Sequence, residues 1–123
     1  MHNKGQYLKE ATFDFLIAHK FSQEEAKFLI QKIVKLIKTE IISQEINDLP
    51  PGFDILTGIK ESCIYLGYWY EYDFIHIIVS SCSNFDENLI KVAIVEFFLT
   101  ELASKIKLIL NQDTTILNLI KSL

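Results

Sequence analysis

The sequence predicts a single α+β domain, ordered α-α-β-β-β-α-α: a helical hairpin, a small antiparallel three-stranded meander, a long helix and a short tail helix. Three observations lead there. A capping box at Ser22 opens an apolar stripe of about five turns. A Pro-Pro-Gly break at 50–52 divides that helical half from a stretch of aromatic and β-branched residues. Helical spacing then returns after residue 84. With 123 residues, half of them hydrophobic, one core over 1–123 is expected, and no Gly/Ser/Pro-rich linker divides it.

Residues Gln6–His19 read as a first helix, with Phe13, Phe15, Leu16 and Ile17 spread around the wheel. Lys20-Phe21-Ser22 punctuates it. Ser22 and Glu25 form the capping box, and the acidic pair Glu24-Glu25 suits the positive end of a helix. Ala26, Leu29, Ile30, Ile33, Val34, Ile37 and Ile41 follow at helical spacing, so this second helix is expected to run on to Asn47–Gly52. Neither Pro50 nor Pro51 can continue it.

Beyond the prolines the period changes. Phe53, Ile55, Thr57 and Ile59 alternate with Asp54, Leu56, Gly58 and Lys60, a strand signal, and Lys60-Glu61-Ser62 can turn. Residues 63–80, CIYLGYWYEYDFIHIIVS, are apolar on every helical face, and their Tyr, Trp, Phe, Ile and Val content favours a pleated surface. Glu71-Tyr72-Asp73 is their polar break, so a hairpin turn belongs there, between strands near Cys63–Tyr70 and Phe74–Cys82. Asn84 or Asp86 can cap the next helix, about Glu87–Leu110. Its broad apolar face carries Val92, Val95, Phe98, Leu99, Leu102, Ile106 and Ile109, with a smaller patch of Ile90, Ile94, Phe97 and Leu108 off that stripe. A helix apolar on two sides is either deeply buried or meets a second surface. Asp113 can cap a tail helix bearing Ile116, Leu117, Leu119, Ile120 and Leu123.

Pairing register decides which hairpin residues share a face. If Tyr72-Asp73 is a two-residue loop, Glu71 opposes Phe74. One face then carries Ile64, Leu66, Tyr68 and Tyr70 with Ile75, Ile77 and Val79, a coherent core. The other mixes Cys63, Tyr65, Gly67 and Trp69 with Phe74, His76, Ile78, Ser80 and Cys82. In this register Trp69 opposes His76 and Cys63 opposes Cys82. Directly opposed residues lie about 4.5–5.5 Å apart, within reach of a disulfide, although two reduced, packed cysteines suit a cytosolic chain.

The formal net charge of −4 gives no positive field for nucleic acid or anionic lipid. All twelve basic residues are lysines, so the planar fork that grips phosphate or guanine bidentately is missing. The N-terminus MHNKGQYLKE lacks the apolar run of a signal peptide, and the run near Val92–Leu99 is too short and too charged to span a bilayer. A cytoplasmic protein is expected, with no membrane and no nucleic-acid partner. No CxxC, HxxxH or HExxH spacing occurs, so neither metal nor cofactor is implied. His76 and Cys82 lie six residues apart on one strand, about 20 Å, too far for a dyad.

Interfaces are enriched in Tyr, Trp and Phe at their centres. The residue chemistry therefore points to a small protein–protein interaction module, non-catalytic and paired as a homodimer or with another protein. Its contacts are expected at Tyr65, Trp69, Phe74, His76 and Ile78 on the mixed hairpin face and at Ile94 and Phe97 on the long helix. Adaptors, secretion chaperones and toxin-immunity proteins share this profile of size and charge, and no motif assigns the chain to any of them. The alternative is a small-molecule-binding protein or enzyme with a pocket between sheet and helices, using His76 and Glu71 as polar groups.

Overall fold

A computed structural model describes residues 8–17, 20–60 and 62–110, with side chains up to residue 102. The chain runs β1 (Lys9–Leu16), α1 (Gln23–Leu36), β2 (Ile41–Leu49), β3 (Gly52–Ile59), β4 (Ser62–Trp69), β5 (Phe74–Ser81) and α2 (Glu87–Leu110). The five strands form one antiparallel sheet in the order β1-β5-β4-β3-β2. The fold is thus α+β, but its order is β-α-β-β-β-β-α. Two strands stand where helical segments were expected, and the sheet is five strands wide, not three. The tail helix expected over Asp113–Leu123 lies outside the described residues.

The first correction is β1. Ala11 and Phe13 are buried while Thr12, Asp14 and Leu16 are exposed, an alternation of two that follows from the pleat. The scatter of Phe13, Phe15, Leu16 and Ile17 around a helical wheel is that alternation seen in the wrong period. β1 pairs along its whole length with β5, from Lys9↔Ser81 to Leu16↔Phe74. Lys9 pins the strand to the β5–α2 loop. Its ammonium donates to the Phe85 carbonyl at 2.5 Å and to Asn84 Oδ1 at 3.2 Å, and lies 4.9 Å from the centre of the Phe85 ring.

α1 starts as the capping box requires. Ser22 Oγ accepts from Glu25 N–H at 3.0 Å, and Glu25 Oε1 accepts from Ser22 N–H at 2.9 Å. It stops sooner than its apolar spacing suggests, because Ile37 caps it and Lys38 turns the chain through a left-handed conformation, φ 57°. Ile41, four residues beyond Ile37, therefore opens β2 instead of a further helical turn. β2 is an edge strand exposed at almost every position, and it returns through Pro50-Pro51 into β3. Among the described residues it pairs with β3 alone, where Gln44 Nε2 donates to the buried Thr57 hydroxyl at 3.1 Å.

Both helices lie on the same side of the sheet. Ala26, Leu29, Ile30, Ile33 and Val34 of α1 and Ile90, Ile94 and Phe97 of α2 are buried with Phe13, Phe53, Ile55, Ile64, Leu66, Tyr68, Ile75, Ile77 and Val79. Phe21, between β1 and α1, anchors the centre. Its ring packs 5.6 Å from Tyr68, 6.4 Å from Phe53, 6.3 Å from Phe97 and 5.2 Å from Phe98. Asp86 caps α2, its Oδ1 accepting from Asn88 N–H at 2.9 Å.

The hairpin is as expected in position and shifted in register. Trp69 opposes Phe74 and Gly67 opposes His76, so the loop is the four residues 70–73, with Asp73 in the left-handed region at φ 51°. A shift of two residues keeps every side chain on its expected face while changing its neighbour across the strands. Tyr70 is the exception, because it leaves the core face for the exposed turn. Cys63 opposes Ser80, not Cys82, and the two are not joined in a disulfide.

Candidate functional site

Among the described residues, nothing lies over the side of the sheet away from the helices. Alternation places on it Glu10, Thr12, Asp14 and Leu16 from β1, Phe74, His76, Ile78 and Ser80 from β5, and Cys63, Tyr65, Gly67 and Trp69 from β4. Gly52, Asp54, Leu56 and Gly58 from β3 and Ser43, Glu45, Asn47 and Leu49 from β2 complete it.

Four rungs cross this face: at one end Glu10–Ser80–Cys63–Gly58–Ser43, and beside it three that hold the aromatic residues. The middle one is polar and runs Asp14–His76–Gly67–Asp54–Asn47. On the side of the β4–β5 turn lies an apolar rung, Leu16–Phe74–Trp69–Gly52–Leu49. On the other side lies Thr12–Ile78–Tyr65–Leu56–Glu45. His76 Nδ1 donates to Asp14 Oδ1, which fixes the ring and leaves Nε2 as its second polar atom. At the other end Asp54 accepts twice, from Asn47 Nδ2 at 2.9 Å and from the Tyr65 hydroxyl at 3.2 Å. Burial, and after it the Asp54 charge and hydrogen bond, push the Tyr65 hydroxyl above its ordinary value.

Gly67 sits between these two polar pairs, and its missing side chain makes room for its neighbours. A Cβ there would lie 2.7 Å from the Trp69 indole and 2.8 Å from the Tyr65 hydroxyl. The indole also packs 5.9 Å from the Phe74 ring, which stacks at 6.4 Å on His76, and His76 meets Tyr65 edge-on at 6.3 Å. A continuous aromatic path, Trp69–Phe74–His76–Tyr65, thus crosses the centre of the face. Four carboxylates lie around it, Glu10, Asp14, Glu45 and Asp54, and no strand position on this side is a lysine. The lysines lie elsewhere, with Lys27, Lys32 and Lys35 on α1.

Tyr65, Trp69, Phe74, His76 and Ile78 are therefore brought together on one side, all half-buried. Ile94 and Phe97 are not. They are 0 % and 7 % exposed in the core, and the exposed apolar residues of α2 are Leu89, Val92, Val95 and Leu99. Glu71 lies exposed in the 70–73 turn, and His76 faces away from the helices, so they do not line a pocket between sheet and helices. Asp14 and Asp54 were missed from the sequence. Asp14 lay in a segment read as helix, and Asp54 gained its meaning only when β3 was seated beside Tyr65. Among the described residues no group of three His, Cys, Asp or Glu could hold a metal ion, and no helix is long and apolar enough to cross a membrane.

No protein-family model and no curated protein matches the chain. A solved structure similar to it is that of the adenosylmethionine decarboxylase from Aquifex aeolicus VF5. The likeness has a TM-score of 0.47 and 22 % identity over 64 % of this chain and 63 % of that one. A likeness this slight carries neither fold nor function across.

Proposed function

We propose that this chain is a cytoplasmic protein-binding module whose partner docks on the uncovered face of the sheet. The observation that carries the reading is the make-up of that face: a half-buried aromatic path with carboxylates around it and no lysine at any strand position. Aromatic side chains supply rigid contact area at the centre of interfaces. A ring face also attracts a cation, most strongly for Trp, and surrounding carboxylates add to that field. The partner that fits is a protein segment carrying Lys or Arg among apolar side chains. Two copies of this face are poorly suited to each other, since each would bring its own carboxylates to the contact. Cys63 and Cys82, not joined in a disulfide, suit a reducing compartment.

Trp69 is the only tryptophan of the chain and reports directly on the face. Panels of amphipathic peptides that match in length and apolar content, but carry either Lys/Arg or Glu, would be titrated against the full chain while its emission is followed. Binding confined to the basic panel, weakened by salt and lost in Phe74→Ala and Asp54→Asn variants that melt like the wild type, is the expected result. Equal binding of both panels, or none, would sink the reading.

A further inference from the structure

α2 has apolar side chains on two opposite sides, and the fold covers one of them. Ile90, Ile94 and Phe97 are buried against the sheet and α1. On the opposite side Val92, Val95 and Leu99 are 53 %, 38 % and 60 % exposed, and Leu102 follows half-buried. These positions step along the helix by three, four and three residues, and in the sequence Ile106 and Ile109 continue by four and three. Alternating steps of three and four are the spacing that a seam between two helices uses. Phe15 and Leu16 of β1 and the Ile17 that follows border one flank of this stripe, forming a groove with Val95, Leu99 and Leu102, and among the described residues its outer side, at Val92 and Leu99, is open to solvent.

We propose that two copies of the chain pair through this stripe of α2 as a parallel two-helix coiled coil, with Val92, Val95, Leu99 and Leu102 in the seam. The flanking charges choose both the occupant and its direction. With Val92 at position a, Lys91 is the preceding g position and Glu96 the following e position, and both are exposed. In a parallel pair each g faces the e five residues further on in the other helix, so Lys91 of each copy meets Glu96 of the other. An antiparallel pair sets g against g and e against e, placing like charges together. The self-complementary pattern therefore fits a second copy aligned in register. Since α2 lies on the far side of the sheet from the uncovered face, both such faces point outward in the dimer. The pairing is independent of what binds there.

The test uses the full chain, with mass measured by light scattering and sedimentation over a dilution series. Twice the 14.3 kDa of one chain is expected. Leu99→Lys should give a monomer with an unchanged circular dichroism spectrum, because the side chain it replaces faces solvent in the isolated fold. Lys91→Glu and Glu96→Lys should each raise the dimer dissociation constant about tenfold, with the double exchange restoring it. Leu99→Cys should oxidise to a covalent dimer, since an a position meets its own copy in a parallel pair. A monomeric wild type overturns the proposal, because the stripe would then be covered from within the chain. So does a dimer that survives Leu99→Lys and is lost in Trp69→Ala, which would place self-association on the sheet face. A double exchange that fails to restore pairing refutes the parallel arrangement.

Discussion

Gly67 lies in the central strand of the sheet, and the face around it depends on its having no side chain. In Gly67→Ala the added carbon would lie 2.7 and 2.8 Å from two Trp69 ring carbons and 2.8 Å from the Tyr65 hydroxyl oxygen. Each of these atoms is the far end of a side chain on an open face and can rotate into solvent. Overpacking in a closed core costs about 1–3 kcal/mol; here much of that is relieved, and the less flexible unfolded chain returns about 0.5–1 kcal/mol. The net loss of stability should be about 1 kcal/mol or less. Gly52→Ala is the matched control. Its added carbon would overlap the Tyr68 carbonyl oxygen and lie 3.2 Å from Trp69 Cα, which are backbone atoms of a paired strand. No rotamer relieves that contact. β3 and β4 must separate next to the point where Tyr70 N–H donates to the Pro51 carbonyl at 3.0 Å, so a loss of about 3 kcal/mol or more is expected. Urea unfolding followed by circular dichroism gives the stabilities, and Trp69 emission gives the environment of the indole. Gly67→Ala should shift the native emission to the red with its midpoint nearly kept, while Gly52→Ala should lose most of its midpoint. If Gly67→Ala leaves the emission unmoved, or unfolds as early as Gly52→Ala, the indole does not pack over Gly67 and the geometry of the face is wrong.

Two further outcomes follow from single contacts. Ser22→Ala removes the acceptor of the Glu25 N–H and should cost about 1 kcal/mol in the same unfolding assay, with Ser22→Thr recovering most of it. Tyr65 has its folded value raised above 10.0, so its neutral form favours the fold. The stability tied to that proton is whole below pH 10.0 and is lost as pH climbs through the raised value. Tyrosinate absorbance should show a late-titrating group that disappears in Tyr65→Phe and moves down in Asp54→Asn; an unchanged titration in both variants would remove Tyr65 from the buried pair.

How far the sequence disclosed this architecture depended on whether local and tertiary signals agreed. α1's start and the whole of α2 were legible because caps and apolar spacing point the same way at Ser22 and Asp86. β2 was not, since IISQEINDL is exposed on both faces and shows no alternation. The stop before it is Lys38, an ordinary residue in a left-handed conformation with no glycine or asparagine to mark it. β1 was obscured by Leu16, 78 % exposed on the side where alternation leads one to expect a polar residue. The hairpin gave up its faces but not its partners, because a slip of two residues is invisible to a pattern of period two. On α2 periodicity revealed two apolar stripes, and the smaller one, expected to meet a partner through Ile94 and Phe97, is the one the sheet takes. The aromatic cluster around Phe21 settles that by drawing in Phe97, a contact between residues far apart in the chain.

The same two-layer plan explains why a chain with half its residues hydrophobic ends with apolar surface on opposite sides. One contact between helices and sheet uses one face of each, and the supply exceeds it: Leu16 and Leu49 remain exposed on the sheet, Val92 and Leu99 on α2. Apolar surface of this kind invites association, and what restricts it is the charge placed alongside. On the sheet the added charges are all acidic, which discourages two like faces from closing on each other and favours the basic partner proposed for the aromatic path. On α2 they are Lys91 and Glu96, one of each sign, which satisfies a second copy in a single alignment. Under the two proposals the sheet face and the helix stripe are selective in opposite senses: the chain would pair with itself through α2 and keep its two sheet faces for a different partner.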